Sequence, residues 1–336
     1  MKRIFGKFLL YGVLVAALAI LAAGTGAWYW ATQRPVPMDA ERVDYLVERG
    51  GSVHSVVRTM NEAGIQIDRR AFVALARITE LDREIKAGAY EANRGDTPWK
   101  LLERMALGDM TLTRLTLVEG WTYRQIRDAL AGSDQVSQTL AGVSDQELLR
   151  RLGAPHTHPE GLFYPDTYVF TPGTTDFDIL RRAYHAQEQQ LDKLWAEREP
   201  DLPLATPYEA LILASIVEKE TGHSADRNRV AGVFINRLRI KMPLQTDPTV
   251  IYGMGESYQG RIRKRDLQTD TPWNTYTRGG LPPTPIASSG LAALHAVLNP
   301  EKHKYLYFVS RGDGTSEFSE TLVAHNRAVA KYILGR

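Results

Sequence analysis

The stretch LILASIVEKETGHSADRNRVAGVFINRLRIKMPLQTDPTVIY, Leu211–Tyr252, sets a carboxyl at the end of an apolar helical run, then a cluster of uncharged hydrogen-bonding residues. Just upstream, Thr206-Pro207-Tyr208-Glu209 signals a helix start, with Thr206 as N-cap, Pro207 at the first helical position and Glu209 closing a capping box. Ala210–Val217 carries no charge. Glu218 therefore falls in the last turn, where the partial negative helix end and nearby apolar surface both disfavour its ionised form. A carboxyl that keeps its proton near neutral pH is suited to general acid catalysis.

Glu220 is the competing carboxyl. Three, four and seven positions before Glu218 lie Ser215, Ala214 and Leu211, a face of mostly small side chains that leaves room for a ligand. The equivalent positions before Glu220 are Val217, Ile216 and Leu213, a bulky stripe suited to core packing. This selects Glu218. The bland alternative is a pair of solvated charges at a fraying helix end.

The wider chain shifts that balance. EGLFYPDTY (Glu160–Tyr168), Glu218, GVFINRL (Gly232–Leu238), LQTDPTVIYG (Leu244–Gly253), NTY (Asn274–Tyr276), GLPPTPI (Gly280–Ile286) and AHN (Ala324–Asn326) occur in order. Together they resemble the YceG-like family of membrane-bound endolytic murein transglycosylases, over nearly the whole chain and with no departure from the motif set. The resemblance implies that Glu218, the glutamate of SIVEKET, is the catalytic residue.

The 336 residues suffice for an anchor and about two domains. A hydrophobic share of 43% with 24% charged residues permits a sizeable core. The net charge of +2 gives no global argument for a nucleic-acid partner. The chain has no cysteine, which excludes thiolate chemistry and suits an oxidising compartment. Phe8–Trp30 has no charged residue and is long enough to span a bilayer, so residues 8–30 read as a transmembrane helix. Lys2, Arg3 and Lys7 precede it, which puts residues 1–7 in the cytoplasm and everything after Thr32 outside the inner membrane. Trp28, Tyr29 and Trp30 are expected in the outer aromatic belt. A cleaved signal peptide is the rival reading, disfavoured because the apolar run exceeds the usual signal length of roughly 7–15 residues.

The expected fold class is α+β. Residues 39–109 read as strand, helix, helix, strand, an order resembling a LysM glycan-binding module; a spacer between membrane and catalytic domain fits the same pattern. Residues 111–336 read as one α+β catalytic domain. Its expected elements include a long amphipathic helix over Phe177–Glu199, a helix over Arg229–Ile240, a hairpin turning at Asp313-Gly314 and a closing helix over Leu322–Leu334.

Gln245, Asp247, Asn274 and Tyr276 offer donors and acceptors suited to sugar hydroxyls and N-acetyl groups, with Tyr252, Trp273 and Tyr276 as aromatic faces. Asn274-Thr275-Tyr276 resembles the Tyr-Asn segment lining lytic transglycosylase clefts. Asp247 before Pro248 also fits a simple turn, and Trp273 fits a core position. His156, His158 and Glu160 lack metal-site spacing, and no cofactor or metal is expected. The chain carries no acyl-serine motif or phosphate loop. The basic cluster Arg261, Arg263, Lys264 and Arg265 reads as a solvated loop.

In the enzyme reading, Glu218 protonates the glycosidic oxygen between N-acetylmuramic acid and N-acetylglucosamine. It then deprotonates the muramoyl 6-hydroxyl, which closes on C1 to give a 1,6-anhydro end without a second carboxylate. A hydrolytic muramidase using Glu218 and Asp247 is the rival enzyme, and a peptidoglycan-binding scaffold the rival class. The resemblance further implies cutting within nascent strands, ending their elongation, near the peptidoglycan synthases.

Overall fold

The computed structural model describes residues 2–48, 50–220 and 224–335, with side chains described from Tyr11 onward except that of Ser224. Lys2, Arg3 and Lys7 therefore fall outside the described side chains, and Thr221 of the SIVEKET motif outside the described residues. The chain divides into two compact units, 1–113 with 169–173, and 114–168 with 174–336.

The first unit opens with helix α1 (Lys2–Thr32), whose apolar part, Tyr11–Thr32, has a mean hydropathy of 1.7 and is long enough to cross a membrane. Strand β1 (Arg42–Val47) pairs antiparallel with β2 (Gly88–Asn93), Tyr45 opposite Tyr90. Between them run α2 (Val53–Glu62) and α3 (Arg69–Ile78), capped by the Ser52 and Asp68 side chains. Helix α4 (Pro98–Leu107) starts at the Thr97 cap and stops at Gly108, whose positive φ of 76° terminates it. Val57, Met60, Phe72, Tyr90, Leu101 and Met105 form the core. Trp28 and Tyr29 are exposed, whereas Trp30 packs against this core. The turn of α1 carrying Trp30 and the buried Ala31 belongs to the folded unit, because helix α4 covers it.

The second unit is mostly helical. Strand β3 (Thr113–Thr116) leads through a turn at Gly120 into α5 (Tyr123–Ala131), then β4 (Val136–Ser137) and α6 (Asp145–Leu152). After β5 (Thr167–Phe170), the short β6 (Thr174–Thr175) pairs parallel with β4. Helix α7 (Asp176–Ala196) follows, then α8 (Pro207–Glu220) and α9 (Arg227–Arg239). Helices α10 (Asp247–Met254), α11 (Lys264–Gln268) and α12 (Leu291–Leu298) come next. The antiparallel hairpin of β7 (Tyr307–Ser310) and β8 (Ser316–Ser319) precedes α13 (Leu322–Tyr332).

The centre of this unit is α8. Ala210–Val217 are all buried, and α7, α9, α10 and α12 pack around them. A helix apolar all round is a core helix, which accounts for the uncharged run. The GVFINRL segment on α9 locks distant chain in place. A side chain at Gly232 would run into the Glu301 carbonyl and the His303 ring. Asn236 Nδ2 donates to the carbonyls of His303 and Tyr305, at 2.8 and 3.1 Å. Buried Arg237 donates to those of Leu306 (2.7 Å) and Leu244 (2.6 Å), fixing the start of the LQTDP segment.

Candidate active site

Helix α8 begins at Pro207, with Thr206 Oγ1 accepting the Glu209 amide at 3.2 Å. Glu209 reaches back to the Ala205 amide (2.6 Å), one residue earlier than a capping box requires. At the other end, Glu218 and Glu220 project from the final turn in different directions.

Glu218 Oε2 accepts the Gly290 amide at 3.0 Å. Gly290 is the N-cap of α12, so the carboxyl meets the positive end of that helix. Burial nevertheless pushes the Glu218 carboxyl above the usual range; the Gly290 amide opposes this, the nearby Glu119 charge adds to it, and Arg227 and Lys219 oppose it. The result is an acid that retains its proton to higher pH than a solvated glutamate.

The segment carrying Gly290 is held by α8 itself. Ser215 Oγ accepts the Ile286 amide at 2.9 Å and donates to the Ile212 carbonyl at 2.7 Å. The small-residue face before Glu218 is thus occupied by the 285–290 backbone, where the sequence suggested space for a ligand. Small side chains allowed close approach, but of the chain's own backbone.

Glu220 belongs to a second cluster. Burial pushes its carboxyl up, the Thr246 hydroxyl donates to it, Asp247 adds to the upward push and Arg237 opposes it. Asp247 Oδ1 accepts the Tyr276 hydroxyl at 2.6 Å. Gln245 is exposed in a left-handed conformation (φ 49°), its backbone N–H donating to the Thr275 carbonyl at 3.1 Å. Gln245, Asp247 and Tyr276 therefore lie together on connected backbone, beside Glu220.

Asn274 differs from the expectation of a substrate contact. It is 1% exposed, and its side-chain nitrogen donates to the carbonyls of Leu267 (3.1 Å) and Thr269 (2.7 Å). Its oxygen accepts the Tyr276 amide at 2.9 Å. These bonds make Asn274 a brace for the loop that presents Tyr276. Trp273 packs edge-on against Tyr252 with ring centroids 5.4 Å apart and donates to Thr284 Oγ1 at 2.9 Å, which leaves its ring within the wall. Asp247 and Pro248 form the first turn of α10, so the Asp-Pro pair starts a helix.

Two further acids were not expected near the site from the sequence. Glu160 is 3% exposed and accepts the Tyr123 amide (2.9 Å) and the Tyr252 hydroxyl (3.0 Å). Burial pushes its carboxyl up to about 7. Glu119, on the turn before α5, lies against Gly290. The only local signal for either was a glutamate followed by glycine.

The sequence profile of the YceG-like family matches residues 45–331. The chain is 32% identical over 318 residues to the endolytic murein transglycosylase of Bacillus subtilis, covering 89% of this chain and 87% of that protein. It is 28% identical over 354 aligned positions to the endolytic murein transglycosylase of Streptococcus pneumoniae D39, covering 94% of this chain and 64% of that longer protein. A crystal structure of a YceG-like protein from Listeria monocytogenes matches with a TM-score of 0.53 at 28% identity, covering 85% of this chain and 99% of that one.

Proposed function

The chain belongs to the YceG-like family, and from that membership we propose that it is a peptidoglycan lytic transglycosylase in which Glu218 is the general acid and then the general base. The observation that carries this assignment is a carboxyl held by the Gly290 amide at 3.0 Å and pushed up by burial. Protonated Glu218 gives its proton to the glycosidic oxygen as the bond to C1 of N-acetylmuramic acid breaks. The resulting carboxylate takes the proton of the C6 hydroxyl, whose oxygen bonds to C1. The products are a 1,6-anhydromuramoyl end and a free 4-hydroxyl on N-acetylglucosamine, with Glu218 protonated again.

Gln245, Asp247 and Tyr276 supply hydrogen-bonding groups to the glycan strand, and Asn274 acts by holding the Tyr276 loop. The βααβ arrangement of β1, α2, α3 and β2 supports a LysM-like reading of the first unit as a glycan-binding or spacing module. Helix α1 fits a single-pass inner-membrane anchor with the N-terminus cytoplasmic, and a wall substrate suits residues after Thr32 lying outside that membrane. There the enzyme would meet nascent strands and the synthases that make them.

The test uses purified protein and isolated murein, with products read by mass spectrometry. Anhydro ends, each lighter by one water than a reducing end, are expected. Hydrated reducing ends as the primary product would identify a muramidase, and binding without cleavage a scaffold. Glu218→Gln should bind glycan and lose about 10²–10⁴-fold in rate. Residual activity near that of wild type would remove Glu218 from the assignment.

A further inference from the structure

A second carboxyl stands beside Glu218, and the fold takes care to hold it there. Glu119 lies on the turn before α5, where Gly120 adopts a φ of +77°. That turn is zipped to the segment before α12: the Gly120 amide donates to the Ser288 carbonyl at 2.8 Å, and the Ser288 amide to the Trp121 carbonyl at 2.7 Å. Lys219, the neighbour of Glu218, donates from Nζ to the Gly120 carbonyl at 3.1 Å, tying the turn to α8 as well. The Glu119 carboxyl consequently packs on Gly290, the residue whose amide binds Glu218, and a side chain of any size at Gly290 would occupy its place. Glu119 itself is exposed to solvent.

We propose that Glu119 is a positioning residue for the reaction, its fixed negative charge across Gly290 holding the proton on Glu218 until the glycosidic oxygen takes it. The inference rests on the assignment of Glu218 as the acid. A like charge next to a carboxyl disfavours its ionisation; Glu218 is half-buried, while solvent screens part of the repulsion from the exposed Glu119. Among the described residues, the other charged groups acting on Glu218 are Lys219 on its own helix and Arg227 at the start of α9, both cations that act the other way. Lys219 is engaged with the Gly120 carbonyl, which fixes its position as well as that of the turn. The N-terminus of α12 lets two carboxyls share this corner, since its partial positive charge offsets part of their repulsion. Glu119 also answers why one carboxyl serves as both acid and base. Once Glu218 has given up its proton, the neighbouring charge makes the carboxylate a stronger base for the 6-hydroxyl.

The test is the pH profile of strand cleavage by the full chain for wild type, Glu119→Gln and Glu119→Asp, with Glu218→Gln as reference. The alkaline limb reports loss of the proton from the acid. Glu119→Gln should move that limb to lower pH by roughly half a unit to one unit, while Glu119→Asp, which keeps the charge, stays near wild type. Glu119→Ala, which drops the carboxyl without adding atoms beside Gly290, must reproduce the shift if Glu119→Gln folds poorly. If Glu218→Gln is inactive but both neutral variants keep the wild-type limb, the inference fails and the assignment of Glu218 stands. If Glu218→Gln remains active, the assignment itself fails. A rate loss of equal size at every pH would make Glu119 a purely structural residue and overturn the inference.

Discussion

Ser215 and Ile286 are joined by a buried hydrogen bond of 2.9 Å, amide to hydroxyl, one turn before Glu218. Through it α8 sets the position of the segment that ends in Gly290, and so of the amide that binds its own carboxyl. Ser215→Ala leaves the Ile286 amide buried without a partner, which costs roughly 1–3 kcal/mol. Ser215→Val adds bulk where the backbone lies and should lower the cleavage rate more than Ser215→Ala does. Thermal unfolding and initial rates of both variants check this; equal rates would show that the segment tolerates displacement.

Asn274 braces the loop that presents Tyr276. Asn274→Ala removes its bonds to the carbonyls of Leu267 and Thr269 and to the Tyr276 amide, so it should lower the unfolding midpoint and mobilise Tyr276. A rise in KM at unchanged stability would instead mark Asn274 as a direct substrate contact.

Glu160 should make stability depend on pH. Its carboxyl is pushed from an ordinary 4.5 up to about 7 in the folded protein. Between those values the folded state binds more protons than the unfolded chain, so stability falls as pH rises through this window, by roughly 3 kcal/mol in all. The contribution is fully present below 4.5 and lost above about 7. Glu160→Gln should flatten that slope in unfolding measured from pH 4.5 to 8; an unchanged slope would place its origin elsewhere.

Trp30 and Ala31 tie the end of α1 to the first unit. A chain starting at Pro35 should leave the membrane but unfold at a lower temperature than one starting at Ala27, which keeps both residues. Both should cleave isolated murein. Equal midpoints would show that the last turn of α1 adds nothing to the unit.

Much of the local structure was legible in the sequence. The Thr206 cap and the start at Pro207 follow from bonds made within one turn. The hairpin around Asp313-Gly314 is likewise decided by neighbours in the chain. Helix α10 was hidden because an Asp-Pro pair fits a turn as well as a first helical turn. Helix α12 was hidden because its short apolar run has no polar cap side chain, only Gly290.

The sequence by itself determined that α8 is a buried helix ending in two carboxyls, since apolar periodicity and capping are short-range properties. Only the tertiary structure decided what each carboxyl meets. Gly290 is seventy-two residues beyond Glu218 in the chain, and the Gly120 turn ninety-nine residues before Lys219. Ser215 read as the border of an open space until the 285–290 backbone filled it, and Asn274 read as a ligand contact until three neighbouring groups took its amide. A hydrogen-bonding side chain looks the same in sequence whether its partner is the protein or a sugar. Its partner is fixed by which distant segments the packed core brings together, and no local pattern records that.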